Sequence, residues 1–169
     1  MNRVKSGVRP FGLAKVLAGM LVFGGFSSVL ENSTTSAGDW PQILGKTRNG
    51  KAEGEKLPDS LPARPKIAWR AKVGSGFAGP AVVGKVIEFH RVAKHELVEA
   101  LDAGNGQRLW KAEFEARYRG GIDSDLGPRC VPLVQDARVY VFGAAGDLHC
   151  VALADGKKLW TRELFVDYD

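Results

Sequence analysis

From Ala81 onward the chain is written in short apolar or β-branched runs, each closed by a glycine, asparagine or aspartate. Ala81 to Val83 is followed by a turn at Gly84, and Val86 to Phe89 has the β-branched and aromatic make-up of a strand. Leu97 to Leu101 predicts a third strand, Asn105-Gly106 a tight hairpin, and the segment ending at Trp110 a fourth. The same order returns as Leu133 to Gln135, a turn at Asp136, Val139 to Phe142, glycines 143 and 146, Leu148 to Val151, Asp155-Gly156 and Trp160. No stretch after residue 37 carries apolar residues at the helical period of 3.6, so the pattern predicts an all-β chain of four-stranded antiparallel units.

The two units are copies. Ala-Leu-Asp-Ala-Gly-Asn-Gly-Gln-Arg-Leu-Trp from Ala100 to Trp110 aligns without a gap on Cys-Val-Ala-Leu-Ala-Asp-Gly-Lys-Lys-Leu-Trp from Cys150 to Trp160. The offset is 50 residues, and upstream Pro80 to Phe89 matches Pro132 to Phe142 with one inserted residue. Four strands in roughly 40 to 50 residues is the spacing of a propeller blade.

On these residues the chain resembles the pyrroloquinoline-quinone (PQQ) repeat family, whose blades carry a tryptophan-docking motif, A-x-D-x-x-T-G-K-x-x-W. Ala100, Asp102, Gly106 and Trp110 stand at its positions in the first copy, with Asn105 and Gln107 in place of threonine and lysine. The second copy keeps Gly156, Lys157 and Trp160 but has Cys150, Ala152 and Asp155 where the motif has alanine, aspartate and threonine. The resemblance runs from about Asp39 to the C-terminus, because Asp39 to Gly45 (Asp-Trp-Pro-Gln-Ile-Leu-Gly) is similar to an N-terminal segment of exported members. It implies that the tryptophan lies flat between adjacent blades while the glycine lets the backbone come close. The six residues Ala100, Asp102, Gly106, Trp110, Gly156 and Trp160 are thus expected to be structural.

The expected organisation is a signal peptide at 1–37, an N-terminal extension at 38–65 and a partial propeller at 66–169. Within the last, residues 66–73, with Trp69 followed by Arg70, read as an orphan fourth strand that closes a blade supplied from elsewhere. Blades are expected at 80–115 and 131–165. Propellers have about four to eight blades, so about two blades and a closing strand read as a fragment. The implied partners are the missing C-terminal blades or other copies of the chain, and cell-envelope proteins.

Composition changes this picture at the N-terminus. Arg3, Lys5, Arg9 and Lys15 precede a mainly apolar run from Val16 to Leu30, and small polar residues follow from Ser33 to Ala37. That order is a secretory signal peptide, with Thr35 and Ala37 fitting the cleavage site. The run is shorter than the roughly 20 residues that span a bilayer, so no membrane span is expected after its removal. The chain is then exported, periplasmic or extracellular. No cysteine follows the run, which argues against lipid attachment. The formal charge of +5 falls to about +2 without the leader, and the remaining cations are scattered, so nucleic-acid binding has no electrostatic footprint.

Four groupings in the sequence could carry chemistry. Gly74 to Gly79 fits G-x-G-x-x-G, but Pro80 and a β-branched segment follow where a dinucleotide site needs a helix. His90, His95 and His149 lack metal-ligand spacing and are expected at the surface, with His149 and Cys150 on opposite faces of one strand. Asp123 and Asp125 lie in a long loop between the copies, a candidate functional loop or a solvated turn with Arg119 and Arg129 as counter-charges. Cys130 in a first strand and Cys150 in a third stand about 10 Å apart at the usual strand spacing, too far for a disulfide.

No catalytic or metal residues are identified, and no cofactor is expected in this chain. The favoured reading is a non-catalytic binding or scaffolding module. The alternative is a piece of a PQQ-dependent dehydrogenase, in which PQQ and calcium would sit on the propeller axis.

Overall fold

The computed structural model describes residues 38–168 apart from 53, 56–58 and 122–123. The expected signal peptide lies outside the described residues, as does Asp123.

The chain is all-β in its regular structure, with two four-stranded antiparallel meanders in sequence order. The first sheet comprises β1 (Ala81–Val82), β2 (Lys85–Val92), β3 (His95–Asp102) and β4 (Arg108–Glu115). The second comprises β5 (Leu133–Gln135), β6 (Arg138–Phe142), β7 (Asp147–Ala152) and β8 (Lys158–Glu163). Each sheet has the strand number and order of a propeller blade and stands where the apolar runs put it.

Turn chemistry explains the meander. Gly84 has φ +63° between β1 and β2, and Asp136 and Ala137 adopt φ +51° and +58° at the same point of the second blade. Between β3 and β4, Asp102 Oδ1 accepts the N–H groups of Gly104 and Asn105, and Asn105 Oδ1 accepts that of Gln107. The second copy has Ala152 in place of Asp102 and keeps only the Asp155-to-Lys157 N–H bond. The backbone frame survives this loss, since Gly106 N–H to Asp102 O at 2.8 Å is repeated as Gly156 N–H to Ala152 O at 2.9 Å. Both blades also carry a register shift at the same point, Ala100/Leu101 and Cys150/Val151.

Period-2 alternation then decides which residues meet. One face of the first sheet presents Ile87, Phe89, Val98, Ala100, Trp110 and Phe114, and the second sheet answers with Val134, Val139, Val141 and Val151. The core is therefore the space between the blades. The N-terminal extension ties both blades together, since Trp40 exchanges two backbone hydrogen bonds with Val82 on β1 while Pro41 O accepts Val134 N–H on β5.

Residues 66–73 form no strand ladder here, and β3 of the first blade is already paired with β4. Two expectations change. A single helical turn, α1 (Leu164–Asp167), follows β8 where only strand and loop were expected. Cys130 precedes the first strand of the second blade, which begins at Leu133. Both cysteines are free, Cys130 exposed and Cys150 buried.

Candidate functional site: the docking seats between blades

Trp110, the third residue of β4, faces the second blade, and its indole lies on the backbone of Gly156. A Cβ on that glycine would stand 2.9 Å from Trp110 Cδ2. The backbone there has φ +73°, a left-handed conformation that glycine alone adopts without strain. The indole Nε1–H donates to Leu153 O at 3.0 Å, which satisfies the one polar atom of a ring only 9% exposed. Ala100 lies opposite Trp110 in the register and is fully buried.

The seat is repeated one blade earlier. Trp69 lies on Gly106, also at φ +73°, where a Cβ would stand 2.7 Å from its Cδ2. Its Nε1–H donates to Ala103 O at 2.9 Å, and Ala103 is the counterpart of Leu153. Trp69 thus occupies the place of a preceding blade's tryptophan although it comes from an unpaired arm, residues 66–73.

Trp160 is the third tryptophan of the series. It stands opposite Cys150 as Trp110 stands opposite Ala100, yet it is 38% exposed, with Tyr140 tilted against it at 6.0 Å. Next to it Phe142 is exposed, and Phe165 of α1 covers Gly146 while staying 76% exposed itself. All six motif residues therefore sit in the turns and contact faces of the blades.

A polar cluster, not foreseen from the sequence, joins the outer strands of the two blades. Phe114 stacks on His149 with ring centroids 3.8 Å apart and an interplanar angle of 11°. His149 is buried, which contradicts the expected surface position, and desolvation lowers its pKa to about 4. Its Nδ1 is 2.9 Å from Thr161 Oγ1. Arg117, just after β4, pairs with Asp147 and with Glu163 across the gap. Glu96 of β3 is buried and accepts the Ala144 N–H of the second blade at 2.9 Å, with burial pushing its carboxyl above the usual range. The visible signal was polar residues at apolar-face positions of strands, and it does not say what would cover them.

The opposite face of the first blade carries a second buried group. His90 is also buried, again against expectation, and its pKa is lowered by desolvation. Its Nδ1 accepts Gly74 N–H at 2.7 Å, and its Nε2 is 3.5 Å from Glu99, which bonds Arg108 at 3.0 Å. Glu88 faces Glu99 across the ladder, and its carboxyl is pushed up by burial and by that neighbour. His95 is exposed, as expected.

The long loop between the copies is held from within. Buried Arg91 donates to the carbonyls of Ala93, Tyr118 and Leu126, while Asp125 accepts the N–H groups of Gly76 and Gly127. Arg129 reaches the Asp125 carbonyl at 3.4 Å and lies over the rings of Phe77 and Tyr118. Arg119 is exposed. No helix follows Gly74 to Gly79, and Ser75 bridges Arg91 instead. Among the described residues no group of three or more His, Cys, Asp or Glu side chains is placed to hold a metal.

Residues 93–168 match the family model described as outer membrane protein assembly factor BamB, a PQQ-like repeat model. The match covers under half of the chain, and over it the sequence is similar to PQQ-like propeller repeats. Among solved structures 45 chains match, including the crystal structure of BamB from Moraxella catarrhalis at 19% identity and a TM-score of 0.29. That alignment covers 57% of this chain and 40% of the BamB chain, so the present chain spans well under two thirds of that relative. No curated protein matches the chain. The matched residues span β3 to β8, and the docking seat between Trp110 and Gly156 falls inside them.

Proposed function

We propose that this chain is exported and that its PQQ-like blades act as a non-catalytic binding or scaffolding module for cell-envelope proteins, part of a larger propeller completed by further blades. The observation that carries this reading is the use made of the motif. Trp110 and Gly156 form one seat, Gly106 with Trp69 another, Ala100 lies beneath Trp110, and Asp102 holds the turn. Such side chains build a rigid stack whose rims and loops are left for partners. Among the described residues no helix is long and apolar enough to cross a membrane. The basic and apolar order of residues 1–37 supports export.

Two measurements test this. Expression of the full sequence in a bacterial host, followed by fractionation and intact mass, should give a soluble envelope species that begins at Gly38. An uncleaved cytoplasmic chain refutes export. PQQ with calcium added to the purified protein should give neither saturable binding nor dye reduction with alcohol or sugar substrates. Binding with dye reduction replaces the scaffold reading with that of a dehydrogenase segment.

A further inference from the structure

We propose that removal of the leader turns Gly38 into an ion-paired chain terminus, its new α-ammonium held by the Glu55 carboxylate, so that the N-terminal clasp on the two blades tightens only in the processed chain. The proposal rests on the export reading above, which puts the cut between Ala37 and Gly38.

Sequence and structure meet at one atom. Thr35 and Ala37 supply the small side chains of a cleavage site, so cleavage leaves the free amine on Gly38. The nitrogen of that same residue donates to Glu55 Oε1, 17 residues further along the chain. Glycine permits the approach, since a Cβ at position 38 would stand 3.4 Å from the carboxyl carbon of Glu55 and closer still to that oxygen. Hydrolysis breaks the bond between the Ala37 carbonyl carbon and the Gly38 nitrogen, giving the hydroxyl of water to the carbon and a proton to the nitrogen. Below about pH 8 the amine takes a second proton from solvent. A neutral amide with one N–H thus becomes a cation, facing a carboxylate that is already in place.

Gly38 is not a loose end, because the residues after it are tied to both blades. Asp39 Oδ1 accepts Gly84 N–H at 3.1 Å, Trp40 exchanges hydrogen bonds of 2.7 and 2.9 Å with Val82, and Pro41 O accepts Val134 N–H at 2.8 Å. The Trp40 ring covers Gly45, where φ is +77° and a Cβ would stand 2.8 Å from the ring atom Cζ3. The loop also closes on itself, through Gly50 N–H to Leu44 O at 3.0 Å and Arg48 Nε–H to Gln42 Oε1 at 3.0 Å. A terminus anchored this way gives up little further freedom when it pairs, and its pairing in turn holds Asp39 and Trp40 on β1.

The surrounding charges leave this task to Glu55. Gly38 lies in a cleft of about 260 Å³ lined also by Asp39, Trp40, Lys46, Lys51 and Glu55. Asp39 is engaged with Gly84, and the two lysines carry the sign of the ammonium. Gly38 and Glu55 are both exposed, so the pair is of the modest surface kind and weakens with salt. A carboxylate partner raises an amine's pKa above its unfolded value near 8, so the tightening is complete below about pH 7 and is lost as pH rises past 8.

The test exports the full sequence from a bacterial host and compares the purified wild type with Glu55→Gln, which keeps an oxygen acceptor and removes the charge. Intact mass first identifies the terminus. Competitive acylation at about pH 7 with peptide mapping then compares the α-amine with the lysines, and hydrogen exchange follows the Trp40 and Val82 amides. At low salt the α-amine should react about threefold or more faster in Glu55→Gln, with the lysine rates unchanged, and the two amides should exchange faster by a similar factor. Salt at about 0.5 M should remove most of both differences. A chain that begins at Gly38 yet leaves either readout unchanged by Glu55→Gln overturns the proposal while export stands. A chain that keeps its leader or begins elsewhere overturns both, and the mass alone reveals it.

Discussion

Gly156 and Gly84 offer a matched pair of substitutions that separates what a left-handed backbone costs from what a docked indole contributes. Both have positive φ, +73° and +63°. A Cβ on Gly84 would meet nothing within 4 Å, whereas one on Gly156 would enter the ring of Trp110. Alanine at either place carries the left-handed penalty of about 1–2 kcal/mol, offset by about 0.4–1 kcal/mol from a less flexible unfolded chain. Gly84→Ala should therefore cost about 1.5 kcal/mol or less.

At Gly156 the indole must also move. Lifting about half of a 200 Å² ring from its seat forfeits about 2.5 kcal/mol at 25 cal/mol/Å², and the bond to Leu153 O adds about 1 kcal/mol. Gly156→Ala should thus be about 2–3.5 kcal/mol worse than Gly84→Ala. Urea unfolding of the two variants beside the wild type, followed by circular dichroism and tryptophan fluorescence, reads this difference directly. Equal destabilisation within about 0.5 kcal/mol would refute the assignment of Gly156 as a docking seat that contributes to stability.

Three further outcomes are expected. The His149 pKa is depressed from 6.5 to about 4, so the folded state resists a proton that the unfolded chain accepts. Its contribution is complete above about pH 6.5 and declines as pH falls toward 4, by up to about 3 kcal/mol; unfolding at several pH values should show this slope, and His149→Phe should flatten it. Arg91→Ala removes the donor to three carbonyls of the loop and should make residues 117–130 the first site of limited proteolysis, with a loss of about 2–4 kcal/mol; unchanged cleavage kinetics would count against this role. In native buffer an alkylating reagent should label Cys130 alone, with Cys150 reacting only on unfolding, since burial shields its thiol and raises its pKa; intact mass distinguishes one adduct from two.

Strand order, turn positions and the two-blade division were legible in the chain because their causes are local and occur twice. β-branched runs, Gly84, Asn105-Gly106 and Asp155-Gly156 act within a few residues of themselves, and the 50-residue offset exposes the unit that they build. The seats were legible only through the resemblance, since nothing near Trp69 in the chain points to Gly106, 37 residues away.

Burial of polar side chains was decided by tertiary structure alone. His149 and Glu99 are counterparts in their blades, yet one lies beneath Phe114 of a neighbouring sheet and the other beside the loosely packed arm. Alternation determines the face on which a residue stands. What covers that face, and hence whether a histidine is solvated or desolvated and a tryptophan seated or bare, depends on the blade beside it, and only the packed structure supplies that neighbour.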